Sequence, residues 1–246
     1  TGKSTFARWL YRRLCREPDR RAAFLDGDPG QSVLGPPTTM TLALGQPGDD
    51  AWPPSGLTWR RFVQFISPRG HMLPLLVSAA RLAQTAQAAL ADALVYDTTG
   101  FVSLADGGMN LKYNKIELLR PAVVFALQRE RELDALVAPL KRGTLTRVIE
   151  LRASRAAQER DVPVRQAHRA AQFARYLHAA RTHALNWDRL SVLPAPRFVF
   201  NQIVSLEDAD GFTLGLGIVL RADFKTRQVE LQTPCTALDQ VKGFRL

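Results

Sequence analysis

The chain has 246 residues, of which 46% are hydrophobic, so it is long enough to bury one large core and a smaller second one. Its formal net charge of +10 at pH 7 favours an anionic partner such as nucleic acid. Only six of the 33 basic residues are lysines, and an arginine-rich sequence can reflect genome composition, so charge alone does not identify the partner. Two isolated cysteines and the lack of a run of about 18 apolar residues predict a cytoplasmic protein with no membrane partner.

The opening residues, TGKST, precede an apolar helix-forming pattern and look like the end of a phosphate-binding loop. The full pattern is G-x-x-x-x-G-K-[ST], so its first glycine and the preceding strand are expected ahead of Thr1. In such a loop backbone N–H groups bind phosphates, the lysine reaches the β- and γ-phosphates, and the serine binds Mg²⁺. We therefore expect an ATP site at Thr1, Gly2, Lys3, Ser4 and Thr5, with Mg²⁺ on Ser4. The structural alternative is a glycine turn followed by a helix cap.

Apolar strands alternate with helices along the first part of the chain. Strands are predicted within 21–30, 60–66, 93–100, 121–127 and 145–151, helices within 4–16, 73–93 and 131–140, and a Pro/Gly-rich loop over 35–55. Strands that alternate with helices form crossover units and a parallel sheet covered on both faces. The pattern predicts an α/β fold of the P-loop NTPase kind, with a parallel sheet and helices on both of its faces.

The pattern of apolar and turn-forming residues changes near Ser191. Three short β-like runs follow, within 197–206, 213–220 and 228–234, separated by glycine and aspartate. We expect a P-loop domain over 1–190 and a small β-rich C-terminal part over 191–246 that continues beyond Leu246.

Acidic residues close two of the predicted strands. Asp26 and Asp28 end the strand within 21–30, and Asp97 ends the strand within 93–100. Because open α/β sheets bind ligands at the carboxyl ends of their strands, these carboxylates are expected near the phosphates. A carboxylate there can bind Mg²⁺ or take a proton from an attacking hydroxyl, and Asp28 is the first candidate, ahead of the other two. The alternative is an ordinary Asp-Pro-Gly turn.

Four stretches, in order, resemble the P-loop polynucleotide 5′-hydroxyl kinases. They are DGDPGQSVLGPPTTM at 26–40, FISPRGHML at 65–73, YDTTGFV at 96–102 and RDVPVRQAHRAAQFARYL at 160–177. This family includes the RNA 5′-kinase subunit of the mRNA cleavage machinery and the pre-ribosomal-RNA processing kinase, with simpler archaeal and bacterial relatives. The resemblance spans essentially the whole chain. It implies transfer of the ATP γ-phosphate to the 5′-hydroxyl of RNA or DNA.

The resemblance also implies a role for each matched residue of the phosphate and acceptor sites. Lys3 and Ser4 would bind the ATP phosphates and Mg²⁺, and Asp28 would activate the 5′-hydroxyl and help to bind the metal. Gln31 would lie near the acceptor end. Phe101 matches an aromatic residue that stacks on the terminal base, although a core aromatic is the alternative.

Three arginines match the family's arginine-rich lid: Arg160, Arg165 and Arg169. The last two are four residues apart on a predicted helix, so they share one face. Planar guanidinium groups can bridge the γ-phosphoryl oxygens, over which the transition state spreads its charge. A solvated basic helix face is the alternative, and Arg152 and Arg155 are further candidates for the same role.

Two other functions are compatible with parts of this pattern. Residues 97–100 fit D-x-x-G and residues 114–117 approximate a guanine-specificity motif, which together suggest a GTPase. That motif normally ends a strand, whereas here it precedes one, so the context needed for a GTPase is missing. A nucleotide-bound scaffold without turnover in an RNA-processing complex is the second alternative.

Overall fold

Helices and strands alternate through most of the computed structural model, which describes residues 2–48, 50–157 and 161–246. The α-helices are α1 Lys3–Cys15, α2 Met72–Ala88, α3 Gly108–Leu119, α4 Asp134–Arg142 and α5 Val162–Leu177. The first six strands are β1 Ala22–Gly27, β2 Thr39–Leu44, β3 Thr58–Phe62, β4 Ala93–Thr98, β5 Val123–Gln128 and β6 Arg147–Arg152. The last six are β7 Arg181–Asn186, β8 Ser191–Leu193, β9 Ile203–Glu207, β10 Thr213–Asp223, β11 Gln228–Thr233 and β12 Gly243–Arg245.

The first sheet has four strands in the order β3-β2-β1-β4. β1 runs parallel to β4 and antiparallel to β2, and β2 runs antiparallel to β3. It follows that β1, β3 and β4 all point the same way. Their carboxyl ends, and the loops that leave them, therefore lie along one edge of the sheet.

Helices cover both faces of this sheet, because successive side chains of a strand point to opposite faces. On one face of β1, Ala22 and Phe24 pack in a cluster with α1, where Tyr11 meets Phe24 edge-on at 5.8 Å between ring centroids. On the other face, Ala23 and Leu25 pack in a cluster with the buried side of α2. Every residue of β1 is buried, so its end is held firmly in place.

A second sheet consists of the parallel pair β5 and β6. Leu136, Val137 and Leu140 on α4 form its apolar cluster together with Ala126 on β5. Phe6 on α1 contacts Phe125 on β5 with 5.0 Å between ring centroids. Because α1 also packs on β1 and β4, this helix connects the first sheet to the second.

The C-terminal sheet has six strands in the order β7-β11-β10-β9-β12-β8. It has its own apolar cluster, which includes Trp187, Phe198 and Phe244. The sheet begins at Arg181, ahead of the domain boundary expected at 190/191. The Arg61 guanidinium on β3 donates to the Gly211 carbonyl and joins this sheet to the first one.

The predicted α/β class, the helices on both faces of a sheet and the β-rich C-terminal part are confirmed. Several elements differ from expectation, and the strands β7, β8 and β12 lie outside the predicted ones. The loop expected over 35–55 contains the buried strand β2, which makes the first sheet mixed rather than wholly parallel. The residues of α3 were not predicted as a helix. Among the described residues, no helix is both long and apolar enough to cross a membrane.

Candidate functional site

The N-terminus of α1 opens toward the sheet edge where β1 and β4 end. Gly2 caps the helix with φ 81°, a left-handed conformation that glycine adopts without strain, and its carbonyl accepts the first helical bond from the Phe6 N–H at 2.9 Å. Lys3 and Ser4 are the first residues of the helix, where the backbone N–H groups and the helix dipole favour an anion. Thr1 lies outside the described residues. The described part of the predicted phosphate loop is therefore a glycine turn followed by a helix N-terminus, and phosphate binding by it stays a prediction.

Lys3 and Ser4 both reach the end of β4. A β-carbon placed on Gly100 would lie 3.3 Å from the Lys3 Nζ, so the ammonium lies directly beside the chain that leaves β4. The Ser4 hydroxyl donates to the Asp97 carboxylate. Burial raises the pKa of Asp97 to about 6, and the nearby Asp26 carboxylate adds to this, while the Ser4 bond and the Lys3 charge oppose it. These contacts bring the lysine, the serine and an acidic strand end into one site.

Asp26 anchors the loop that follows β1. Its carboxylate oxygen Oδ2 accepts hydrogen bonds from the Ser32 hydroxyl at 2.7 Å and from the Val33 and Leu34 N–H groups at 2.7 and 2.9 Å. Its side chain is almost fully buried, and burial raises its pKa against the effect of these bonds. Asp26 therefore has a clear structural role, and it is a weaker candidate base than Asp28.

The next carboxylate, Asp28, shapes the turn in which it lies. Its Oδ1 accepts from the N–H groups of Gly30 and Gln31, each at 3.1 Å. A β-carbon on Gly30 would lie 2.3 Å from the Ile66 carbonyl oxygen, so only glycine fits where this turn packs on the segment after β3. The expected turn and the expected site are thus compatible, since the turn holds the carboxylate in a defined orientation.

Helix α5 lies against this same loop. The Gln172 amide donates to the Ser32 carbonyl at 3.2 Å, and the Gln31 amide lies 3.5 Å from the Arg165 carbonyl. At the other end of the helix, the Tyr176 hydroxyl accepts from the Leu216 N–H of β10 at 2.7 Å. No residue described in α5 is fully buried, so these polar contacts hold it in place.

The N-terminal half of α5 presents the predicted lid arginines. Asp161 caps the helix by accepting from the Val164 N–H at 2.9 Å. Arg165 is exposed and Arg169 partly exposed, and neither guanidinium has a hydrogen-bond or ion-pair partner within 2–48, 50–157 and 161–246. Both are available to an anionic ligand. Arg160 lies outside the described residues.

The two further lid candidates are placed elsewhere. Arg152 is the last residue of β6, and Arg155 is exposed in the segment that follows it. Within the described residues, the arginines that α5 brings beside the Asp28 loop are Arg165 and Arg169.

Phe101 follows β4 on the same edge of the sheet. Its N–H donates to the Thr99 hydroxyl at 3.2 Å, and its ring, which is partly buried, packs against the cluster between α2 and the sheet. The ring is therefore both a core contact and partly accessible from the site. Stacking on a base stays a prediction.

One residue of this site was not found from the sequence. Lys112 on α3 donates from Nζ to the Thr99 carbonyl at 2.8 Å, with the Thr98 hydroxyl at 3.4 Å. Its charge interacts with those of Lys3, Asp28 and Asp97, which places it beside the predicted site. The available signal was weak: a lysine, one of six in the chain, that falls soon after an acidic strand end.

The oxygen donors of the site fit a magnesium ion. Ser4, Asp28 and Asp97 supply one hydroxyl and two carboxylates, and Mg²⁺ is usually held by one or two such groups together with phosphate oxygens and water. A self-contained metal cluster of three or more His, Cys, Asp or Glu side chains does not occur among the described residues. The site thus suits a metal that arrives with a nucleotide.

The residues that suggested a GTPase are placed differently. Residues 114–117 lie within α3, not at the end of a strand. Lys115 is buried, and its ammonium lies over the Tyr96 ring at 5.1 Å from the centroid, on the core side of β4. A guanine-specificity motif needs its side chains at a strand end, so this geometry disfavours the GTPase interpretation.

Comparison with known proteins agrees with this geometry. A family model described as mRNA cleavage and polyadenylation factor CLP1 P-loop matches residues 1–179. The polyribonucleotide 5′-hydroxyl-kinase of Pyrococcus abyssi is 24% identical to the chain, and the match covers all of the chain and 83% of the relative. The polyribonucleotide 5′-hydroxyl-kinase of Methanocaldococcus jannaschii is 23% identical, and the match covers all of the chain and 82% of the relative. The polyribonucleotide 5′-hydroxyl-kinase of Pyrococcus horikoshii is 28% identical, and the match covers 80% of the chain and 53% of the relative.

The fold has a solved counterpart as well. The wild-type Clp1p–Pcf11p complex contains a chain that matches all of this one and 71% of its own length, with a TM-score of 0.69 and 13% identity. At that identity the likeness is one of fold. The family model, by contrast, covers well over half of the chain, from the phosphate loop through the lid helix. The chain therefore belongs to the mRNA cleavage and polyadenylation factor CLP1 P-loop family.

Proposed function

We propose that the protein is an ATP-dependent polynucleotide 5′-hydroxyl kinase, which transfers the ATP γ-phosphate to the 5′-hydroxyl end of RNA or DNA in RNA processing. The observation that carries this proposal is the contact between α5 and the Asp28 loop. It brings the helix that carries Arg165 and Arg169 to the loop that holds the proposed base, Asp28. The names of the archaeal relatives, all polyribonucleotide 5′-hydroxyl-kinases, support the same reaction.

The phosphate side of the reaction is assigned to the start of α1. Lys3 and the N–H groups of Gly2, Ser4 and Thr5 bind the ATP phosphates, and Thr1 belongs to the same loop. Ser4 and Asp28 would hold Mg²⁺, and Asp97 accepts the hydrogen bond of the Ser4 hydroxyl. When bound, the ion would neutralise charge on the β- and γ-phosphates.

The acceptor side is assigned to the loops after β1 and β4. Asp28 takes the proton of the 5′-hydroxyl as it attacks, since its turn fixes the carboxylate at the edge where the phosphates bind. Gln31, three residues further on, lies beside α5 and would contact the acceptor end. Phe101 offers its accessible face to the terminal base.

The lid side is assigned to Arg160, Arg165 and Arg169. In a loose phosphoryl-transfer transition state, negative charge is spread over the equatorial oxygens of the γ-phosphoryl group. Planar guanidinium groups can bridge those oxygens and shield them from water. We also place the protein in the cytoplasm, which its two free buried thiols support.

A transfer assay tests the proposal directly. The full-length protein is incubated with Mg²⁺, γ-labelled ATP and oligonucleotides of RNA or DNA that carry either a 5′-hydroxyl or a 5′-phosphate. Label should pass only to the 5′-hydroxyl strands, and GTP should compete poorly. Binding of ATP without transfer to any strand would favour the scaffold interpretation, and preferential use of GTP would favour the GTPase.

Replacing Phe101 with leucine should raise the acceptor KM by about tenfold, because stacking on one base is worth roughly 1–3 kcal/mol. Leucine keeps most of the apolar contact with the α2 cluster, so the KM for ATP and the Tm should change little. Phe101→Tyr, which retains an aromatic face, is the matched control. An unchanged acceptor KM combined with a lower Tm would mean that Phe101 is only a core residue.

The variant Arg165→Ala should lower kcat by about 10²-fold, since a donor aimed at developing charge acts mainly in the transition state. ATP affinity should change little, because the phosphate loop binds the ground state. Single-turnover kinetics beside an ATP titration separates the two effects. Arg142→Ala, an exposed arginine at the end of α4, is the control for lost charge. Equal losses in both variants would assign Arg165 to a solvated surface.

A further inference from the structure

The position of Lys112 is defined by α3 and by the chain that leaves β4. The helix begins after a short loop from the end of β4 and returns the lysine to that strand end. There the ammonium donates to the Thr99 carbonyl at 2.8 Å and approaches the Thr98 hydroxyl. The Lys3 ammonium lies beside Gly100, which directly follows Thr99. The two lysines therefore flank the same short backbone segment from two different helices.

The protein groups around Lys112 disfavour its positive charge. Burial, together with the charges of Lys115 and Lys3, lowers the pKa of Lys112 to about 7, although Asp28 and Asp97 act in the opposite direction. Within the part of the chain that the structure describes, no carboxylate lies close enough to form an ion pair with it. Of its three N–H donors, one has a short bond to a carbonyl. Such a group gains most from an anion with several acceptor oxygens.

We propose that Lys112 is a second phosphate-binding lysine, which acts with Lys3 to bind the phosphoryl group that is transferred from ATP. The inference rests on the proposed kinase function. Its ligand is the terminal phosphate of a nucleoside triphosphate, since Lys112 and Lys3 meet at the segment after β4 and the charge of Lys112 also interacts with those of Asp28 and Asp97. No bond to Lys112 is made or broken. Its positive charge would act with those of Lys3 and the three lid arginines. Together they would compensate the negative charge on the γ-phosphoryl oxygens.

A purely structural role is the competing explanation. The bond to the Thr99 carbonyl could serve only to fix the loop after β4, and then the charge of the side chain would be unimportant. Lys112→Gln separates the two roles, because glutamine can still donate to the Thr99 carbonyl but carries no charge. Lys112→Met removes the donor as well, and Lys112→Arg retains the charge.

The test compares the binding of ATP with that of ADP to the full-length protein without Mg²⁺. Lys112→Gln should weaken ATP binding by about tenfold and ADP binding by much less, because only ATP has the phosphate that the lysine contacts. Lys112→Arg should keep most of the preference for ATP. Lys225→Gln, which removes an exposed lysine between β10 and β11, is the matched control for a lost cation: it should leave both affinities and their ratio unchanged.

Several results distinguish this inference from the proposed function. If Lys112→Gln and Lys112→Met change ATP and ADP binding equally, or change neither, Lys112 does not bind the terminal phosphate and the inference is wrong. If the wild-type protein binds ATP but transfers no phosphate, the kinase proposal fails, and the ratio of ATP to ADP affinity still decides the role of Lys112. Should Lys112→Met not fold, Lys112→Gln, which preserves the loop contact, provides the same comparison.

Discussion

Asp28→Asn is expected to lower kcat by about 10²–10⁴-fold, the usual contribution of a general base. Asparagine has nearly the same size, and its side-chain oxygen can still accept from the Gly30 and Gln31 N–H groups that hold the turn. The loop and the cradle for the phosphates should therefore survive. What is lost is the negative charge and the ability to take the proton of the attacking hydroxyl.

Single-turnover kinetics on a 5′-hydroxyl oligonucleotide measures this loss, and an ATP titration without metal checks that nucleotide binding is retained. Asp106→Asn is the matched control, because Asp106 accepts from Ser103 and pairs with Arg69 in the loops nearby. Near-normal kcat for Asp28→Asn would move the base elsewhere, with Asp97 the next candidate. If Arg165→Ala also transferred phosphate normally, the kinase proposal itself would be wrong.

Lys3→Ala is expected to reduce phosphate transfer on the order of 10³-fold, because it removes a charge aimed at the γ-phosphate in the transition state. The fold should remain, since Lys3 lies at the first position of α1 and alanine is a good helix former. ATP binding should weaken as well, because the lysine contacts the phosphates in the ground state. The measurements are kcat, the ATP Kd and the Tm.

Arg13→Ala near the other end of α1 is the control for a lost cation on the same helix. It should leave kcat and the ATP Kd unchanged. Normal turnover by Lys3→Ala would be incompatible with a phosphate-binding loop at the start of this chain. A fall in the Tm as large as that caused by a core substitution would instead show that Lys3 supports the fold.

The sequence by itself determined the α/β class, because buried strands such as β1 and β4 are continuous apolar runs that end in aspartate, and helices follow them at regular intervals. It also placed the phosphate loop and Asp28 as candidates, since each lies in a local pattern whose chemistry can be recognised over a few residues, and the resemblance to the kinase family added the lid arginines. The start of α5 could be predicted from the sequence for the same reason. A capping aspartate and a proline in the first turn are local signals.

Only the tertiary structure decided which of these parts meet. β2 is flanked by glycine and proline, so its strand character depends on burial between β1 and β3, which no local pattern shows. Gln172 and Ser32 are 140 residues apart, and their hydrogen bond is what brings the lid helix to the Asp28 loop. Lys112 was overlooked because a lysine on an amphipathic helix usually faces solvent. Lys112 is close to Lys3 because α1 and α3 both begin at the same edge of one sheet.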